Sequence, residues 1–231
     1  MAIKKFCVIG LGYFGYNLAV RLNDLGAEVL VIDNHQEIID EINEKVTHAV
    51  CMDSTDPKAM KGLGLEEMDA IIVAIGENFE SSILTTALLQ EIGVKKIYNR
   101  VISVVHERLL KLMNVTELLV PEAEAADHLV RRLVMPGLIE SYQISKEFGI
   151  FEIPVPKSFI GKNLLDLNLR QKYNVNLITI KKIIKKRGFL TIGEREEVEI
   201  VGVPSPDEII SEKSILVLFG RDKDIKNLIE D

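Results

Sequence analysis

The segment VIGLGYFGYNL, residues 8–18, sets three glycines as Gly10-x-Gly12-x-x-Gly15 directly after an apolar run. An apolar strand that ends in glycine and turns straight into a helix is the local pattern of a dinucleotide grip. Each glycine has its own reason. Gly10 permits a tight turn, Gly12 lets the backbone approach a pyrophosphate with no Cβ in the way, and Gly15 lets helix and strand pack closely. Exposed N–H groups and the dipole at the helix N-terminus attract phosphate. The next strand, EVLVID (28–33), ends in Asp33, 21 residues after Gly12. A carboxylate there accepts hydrogen bonds from ribose hydroxyls and repels a 2′-phosphate, which disfavours NADP.

Outward from this unit the strand–helix alternation continues. Strands are expected at 5–10, 28–33, 48–53, 69–76, 95–101 and 116–121, with helices at 13–26, 36–45, 78–93 and 103–114. Between the third and fourth strands, STDPKAMKGLG (54–64) reads as a turn and short helix, capped by Asp56 with Pro57 at its first position. Leu18, Leu22 and Leu25 form the apolar stripe of the first helix, and Ile38, Ile39 and Ile42 that of the second. Six strands linked by helices predict a Rossmann-type, doubly wound parallel sheet with right-handed crossovers. Ligands of such sheets bind at the carboxyl ends of the strands. Asp53-Ser54 and Ala74-Ile75-Gly76 end two further strands and are expected around the adenine and ribose, with helix capping as the equal alternative for Asp53. Residues 122–137 read as one more helix, closed by Pro136-Gly137.

From residue 149 the pattern changes. GIFEIPVP (149–156), NVNLITIKKIIKK (174–186), EEVEIVG (196–202) and SILVLFG (214–220) read as strands. Short helices are expected at 163–173 and within 204–210, and a closing helix at 221–230. Val175 and Leu177 are expected on one face of their strand, Ile178 and Ile180 on the other. The organisation expected is a nucleotide-binding domain at 1–121, a crossover helix and linker at 122–140, and a small α+β domain at 141–231. The basic run KKIIKKRG (181–188) reads as one arm of a hairpin balanced by EREEVE (194–199) on the facing strand, with a turn at Arg187-Gly188.

Composition narrows the function. Hydrophobic residues make up 47% and charged residues 27%, enough for a real core. The net charge of −7 argues against a general nucleic-acid binder. The two cysteines, Cys7 and Cys51, sit in strand-like runs and are expected buried and reduced. No run approaches the roughly 20 apolar residues of a membrane helix, and residues 1–10 lack the features of a signal peptide. A cytoplasmic protein is expected, reaching a membrane only through a partner.

Catalytic machinery is not recognisable. Tyr142 and Lys146 have the Tyr-x3-Lys spacing of short-chain dehydrogenases, but the glycine pattern differs from that family's and the segment lies beyond the sixth strand. A linker helix or strand edge is expected there. None of the four histidines, His35, His48, His106 and His128, stands in a metal or triad context. The alternative to a binding protein is an NAD-dependent oxidoreductase or redox sensor.

The blocks GLGYFG, VLVID, MDST, IIVAIG and LLVPE, followed by IGKNLLDLNLRQKYNVNLITIKK, resemble the RCK (KTN/TrkA) family over nearly the whole chain. These are cytosolic regulatory subunits of Ktr- and Trk-type potassium uptake systems and gating domains of potassium channels. The resemblance implies a regulatory subunit, not an enzyme, whose dimers assemble into a ring, commonly an octamer, at the inner face of the cell membrane beneath a potassium transporter or channel. Dimer contacts are expected from the helices at 79–92 and 122–135. An adenine nucleotide (ATP, ADP, AMP, NAD or NADH) is implied in the cleft, at Gly10, Gly12, Tyr13, Phe14, Gly15, Asp33, Asn34, Asp53, Ser54, Ala74, Ile75, Gly76 and Arg100. Glu122, in the Pro121-Glu122 pair, is implied at a divalent cation. Cyclic di-AMP is implied for some relatives in the second domain, near Leu164, Leu165 and Arg170. One departure stands out: Tyr13 replaces the arginine that ATP-responsive Ktr subunits often carry after the second glycine.

Overall fold

The computed structural model describes residues 2–187 and 194–230. The chain divides into two compact units, Met1–Glu124 and Ala125–Asp231.

The first unit runs β1 (Lys5–Ile9), α1 (Tyr13–Asp24), β2 (Glu28–Asp33), α2 (Gln36–Ile42), β3 (His48–Cys51), α3 (Pro57–Met60), β4 (Ala70–Val73), α4 (Phe79–Ile92), β5 (Ile97–Arg100), α5 (Val104–Leu112) and β6 (Glu117–Leu119). Its six strands lie in the order β3-β2-β1-β4-β5-β6, and every pairing is parallel. This is the Rossmann-type sheet expected from the sequence. Successive residues of each central strand point to opposite faces. Cys7, Ile9, Leu30, Ile32, Ile71 and Val73 join Leu88 and Leu89 of α4 in one core. Val8, Val29, Val31 and Ile72 join Ala19 of α1 and Ile39 and Ile42 of α2 in the other. Burial on both faces is why these strands are unbroken apolar runs. Chain order reverses between β1 and β4, and there the crevice at the strand ends opens.

Helix α6 (Pro121–Val134) begins in the first unit, and most of its residues belong to the second. The second unit adds β7 (Glu140–Gln143), β8 (Phe148–Pro154), α7 (Leu164–Leu167), α8 (Leu169–Tyr173), β9 (Asn176–Arg187), β10 (Glu194–Ile200), β11 (Ser214–Arg221) and α9 (Asp222–Glu230). Its five strands form an antiparallel sheet ordered β10-β9-β11-β8-β7. Phe151, Ile153, Leu216 and Leu218 meet Ile225 and Leu228 of amphipathic α9 in the core.

Several sequence expectations are corrected. Cys51 is exposed, because β3 is the sheet edge and its last residue faces solvent. Leu25 follows the last turn of α1 and is 86% exposed. The helix expected at 163–173 is two short ones, broken where Asn168 takes a left-handed conformation (φ 43°). Residues 204–210 form turns rather than a helix. Ile180 shares a core with Val175 and Leu177, since a bulge shifts the β9–β11 register between Val217 and Leu218. Tyr142 lies on edge strand β7, not on a helix, so no shared helical face joins it to Lys146. The expected hairpin pairs in register, with Lys182 opposite Glu199. The ion pairs of its basic arm include Lys181 with Glu152 and Lys182 with Glu208, each at 2.6 Å. The expected turn at Arg187-Gly188 extends outside the described residues.

Candidate nucleotide-binding site

The glycine loop adopts the geometry its spacing requires. Gly10 sits at φ 92°, and a Cβ there would stand 2.9 Å from the backbone nitrogen of Ile75. A Cβ on Gly15 would collide with the carbonyl oxygen of Gly10. Around Gly12, by contrast, a Cβ would meet nothing within 4 Å, so this face of the loop is open. Gly12 is the N-cap of α1 and supplies no side-chain cap, nor does the first turn hold an acidic residue. The first-turn N–H groups of a helix have no partner within it, and the first turn of α1 places no carboxylate beside them.

Asp33 ties this loop to β2. Its side chain is 9% exposed. Oδ2 accepts from Leu11 N at 2.6 Å, and Oδ1 accepts from His35 N at 3.0 Å and lies 2.8 Å from His35 Nδ1. The carboxylate at the end of β2 thus fixes the glycine loop. Sequence reasoning missed this duty, as it missed the pairing with His35. Asn34 is exposed beside it.

The other expected residues divide. Asp53 Oδ1 accepts from Thr55 N at 2.9 Å and Thr55 Oγ1 at 2.8 Å, and these bonds hold its carboxyl below the usual range. Asp56, not Asp53, caps α3, accepting from Lys58 N at 2.8 Å. Ser54 turns inward, its Oγ 2.8 Å from Thr85 Oγ1. Ala74 is buried and donates its N–H to Ile9 O at 2.7 Å, which holds the end of β4 against β1. Ile75 lies against Gly10. Tyr13, the first residue of α1, is 90% exposed at the mouth.

Arg100 closes the crevice from the end of β5. Its guanidinium occupies the space a Cβ on Gly76 would need and stands 5.9 Å from the Phe14 ring centroid. It is bound to Glu122 on the first turn of α6. That hydrogen bond holds the Glu122 carboxyl below its ordinary range. Arg100 Nε is buried without a hydrogen-bond partner. Behind Arg100, buried Asn99 accepts from Ser82 Oγ at 3.2 Å and donates to Thr86 Oγ1 at 2.5 Å. This network explains polar residues on the inner face of α4.

A divalent cation fits poorly on one chain alone. Among the described residues no group of three or more His, Cys, Asp or Glu could hold a metal, and the Glu122 carboxylate is already engaged by Arg100. Likewise in the second unit, Leu164 packs against the core, while Leu165 and Arg170 are exposed.

Fold and glycine loop together define a Rossmann-type α/β protein with a smaller antiparallel α+β unit. Residues 6–121 match the family model of the TrkA-N domain. The chain is 34% identical over 222 residues to Ktr system potassium uptake protein C of Bacillus subtilis (strain 168), covering 96% of this chain and 94% of the relative. It is 30% identical to Ktr system potassium uptake protein A of the same organism, with the same coverage. A solved structure of the GsuK channel bound to NAD superposes with a TM-score of 0.60 at 20% identity, over 98% of this chain. This chain spans 39% of that channel chain. The chain belongs to the TrkA-N family, the RCK (KTN/TrkA) family that its sequence resembles.

Proposed function

We propose that this chain is a nucleotide-binding regulatory subunit of a membrane potassium transporter or channel, not an enzyme. Similarity to two Ktr potassium uptake proteins over nearly the full length of both partners carries the reading. The open face at Gly12, the loop pinned by Asp33 and the cation at Arg100 support an adenine nucleotide in the crevice. The GsuK channel, of the same fold, has been solved with NAD. In the described residues no helix is long and apolar enough to cross a membrane, so contact with the bilayer would come through the transporter, at the inner face of the membrane.

The switch would act through Arg100. A ligand phosphate competes with Glu122 for the guanidinium. Taking Arg100 from Glu122 frees the first turn of α6, the helix that continues into the second unit. A ligand shifts such an equilibrium only by its differential affinity for the two arrangements, and the exchange of one anion for another on Arg100 supplies that difference.

A homodimer assembling into a ring, an octamer, is the assembly we favour. Exposed apolar residues on α6 (Leu129, Val130, Leu133, Val134) support it. Helix α5, which sequence reasoning passed over, adds Val104, Val105, Leu109 and Leu112. Its two buried residues are His106 and Leu110, so its valines face out. Large exposed apolar patches mark association surfaces. A divalent cation at Glu122 would need further oxygens, from the nucleotide or a second subunit. Cyclic di-AMP in the second unit would find Leu165 and Arg170 accessible.

Potassium flux through a Ktr-type membrane subunit in proteoliposomes tests the reading. Added chain should change the flux, and exchange of the bound nucleotide should change it again. Flux indifferent to the chain would refute the regulatory role.

A further inference from the structure

Resting on the nucleotide reading above, the charge distribution around the crevice ranks the nucleotides it accepts. Across residues 10–15, 33–35, 53–54, 74–78, 121–122 and the last residue of β5, the sequence places one Lys or Arg, Arg100, against four carboxylates: Asp33, Asp53, Glu77 and Glu122. The single cation is already paired with Glu122. At the loop mouth, where a phosphate chain leaving the helix N-terminus would extend, stands the neutral ring of Tyr13, 90% exposed. A large aromatic so exposed contributes nothing to the core, and its identity is free to serve recognition. Its backbone is engaged, with Tyr13 O accepting from Asn17 Nδ2 at 2.7 Å.

We infer that Tyr13 is the specificity-determining residue of this site, and that it selects an adenosine 5′-phosphate unit without a terminal triphosphate chain. Two sources offer that chemistry: AMP, and a dinucleotide of the NAD class whose phosphates are esterified at both ends. Arg100, for which Glu122 already competes, can meet one phosphate group, and each further terminal phosphate brings negative charge toward the carboxylates with no second Lys or Arg among these residues to meet it. The backbone N–H groups at the helix start satisfy one phosphate group or a pyrophosphate diester, and a longer chain passes into solvent beside a phenol. A dinucleotide gains from Tyr13 where AMP does not, because the ring offers a stacking face to the half beyond the pyrophosphate.

Calorimetric titration of the full chain at fixed ionic strength, in EDTA, with AMP, NAD, ADP and ATP tests this. AMP and NAD should bind at least about tenfold more tightly than ATP, with ADP between, a tenfold step being the scale of one unfavourable charge contact. Tyr13→Arg should raise ATP affinity about tenfold while AMP stays within about twofold. Tyr13→Ala separates the two sources: NAD weakens and AMP does not if the dinucleotide uses the ring. Equal loss of both would remove the stacking contact. ATP binding at least as tightly as AMP in EDTA, or an ATP-to-AMP ratio unmoved by Tyr13→Arg, overturns the ranking while leaving the nucleotide reading in place. Absence of binding by all four overturns both.

Discussion

Arg100 and Glu122 form an ion pair that joins the end of β5 to the first turn of α6. The arginine is largely buried, with 19% of its side chain exposed, and the glutamate is 61% exposed. The asymmetry matters. Arg100 is positioned by packing against Gly76 and Phe14, while Glu122 is held mainly by Arg100. If one partner is displaced, the glutamate is the one free to leave into water.

Two substitutions separate the partners. Arg100→Ala should weaken adenine-nucleotide binding about tenfold, the usual scale for a lost charge-assisted hydrogen bond. Glu122→Gln should strengthen it about threefold, because the guanidinium no longer has a competing carboxylate. Calorimetry on both variants checks the pair. Weaker binding in Glu122→Gln would show that the glutamate assists the ligand rather than competing with it.

Asp33 holds the glycine loop through Leu11 N at 2.6 Å. Asp33→Ala should therefore cost stability as well as affinity. Leaving that part-buried N–H without its acceptor costs about 1–3 kcal/mol, read as a lower urea midpoint of the first unit. Affinity for AMP and NAD should fall together, since both share the ribose and the loop. Unchanged stability would mean that the loop keeps its shape without this bond.

The fold was legible in the sequence where one physical rule dominates. Doubly buried strands such as residues 29–32 have little alternative to a parallel sheet, and Gly10 and Gly15 each answer to a steric demand visible in their spacing. Asp33 was legible as a strand-end acid, but not its grip on Leu11, because hydrogen bonds between loops depend on tertiary placement. Ser54 reads as a site residue from its position after the strand, yet its hydroxyl turns to Thr85. Nothing local distinguishes those two directions. The left-handed turn at Asn168 and the β9–β11 bulge likewise leave no mark in the apolar period.

Asn99 concentrates the buried polar network behind Arg100, with no solvent exposure of its own. Asn99→Leu is close in volume but leaves Ser82 Oγ without its acceptor and Thr86 Oγ1 without a donor. Unfolding stability should fall by about 1–3 kcal/mol. Replacing Ser82 by alanine in the same chain should recover part of the loss, and strictly additive losses in that double-mutant cycle would show that the two residues are not coupled.

His106 gives the first unit a pH-dependent stability. Its ring is fully buried, with Phe79 edge-on at 5.3 Å, and Nδ1 accepts from Ile102 N at 3.3 Å, which places the proton on Nε2, a buried atom with no partner. Burial disfavours the charged ring and holds its pKa below the ordinary 6.5. The sign follows from which state binds protons. Above 6.5 both folded and unfolded chains carry a neutral ring, and His106 adds no pH dependence. As pH falls through 6.5 the unfolded chain takes up a proton that the folded one refuses, so stability declines until the folded pKa is reached. His106→Asn keeps an acceptor for Ile102 N and removes the titration. Urea unfolding of the wild-type chain should lose stability steadily from pH 7 to pH 5, and the variant should lose less over the same interval. Parallel curves for the two proteins would show that His106 does not set the acid sensitivity.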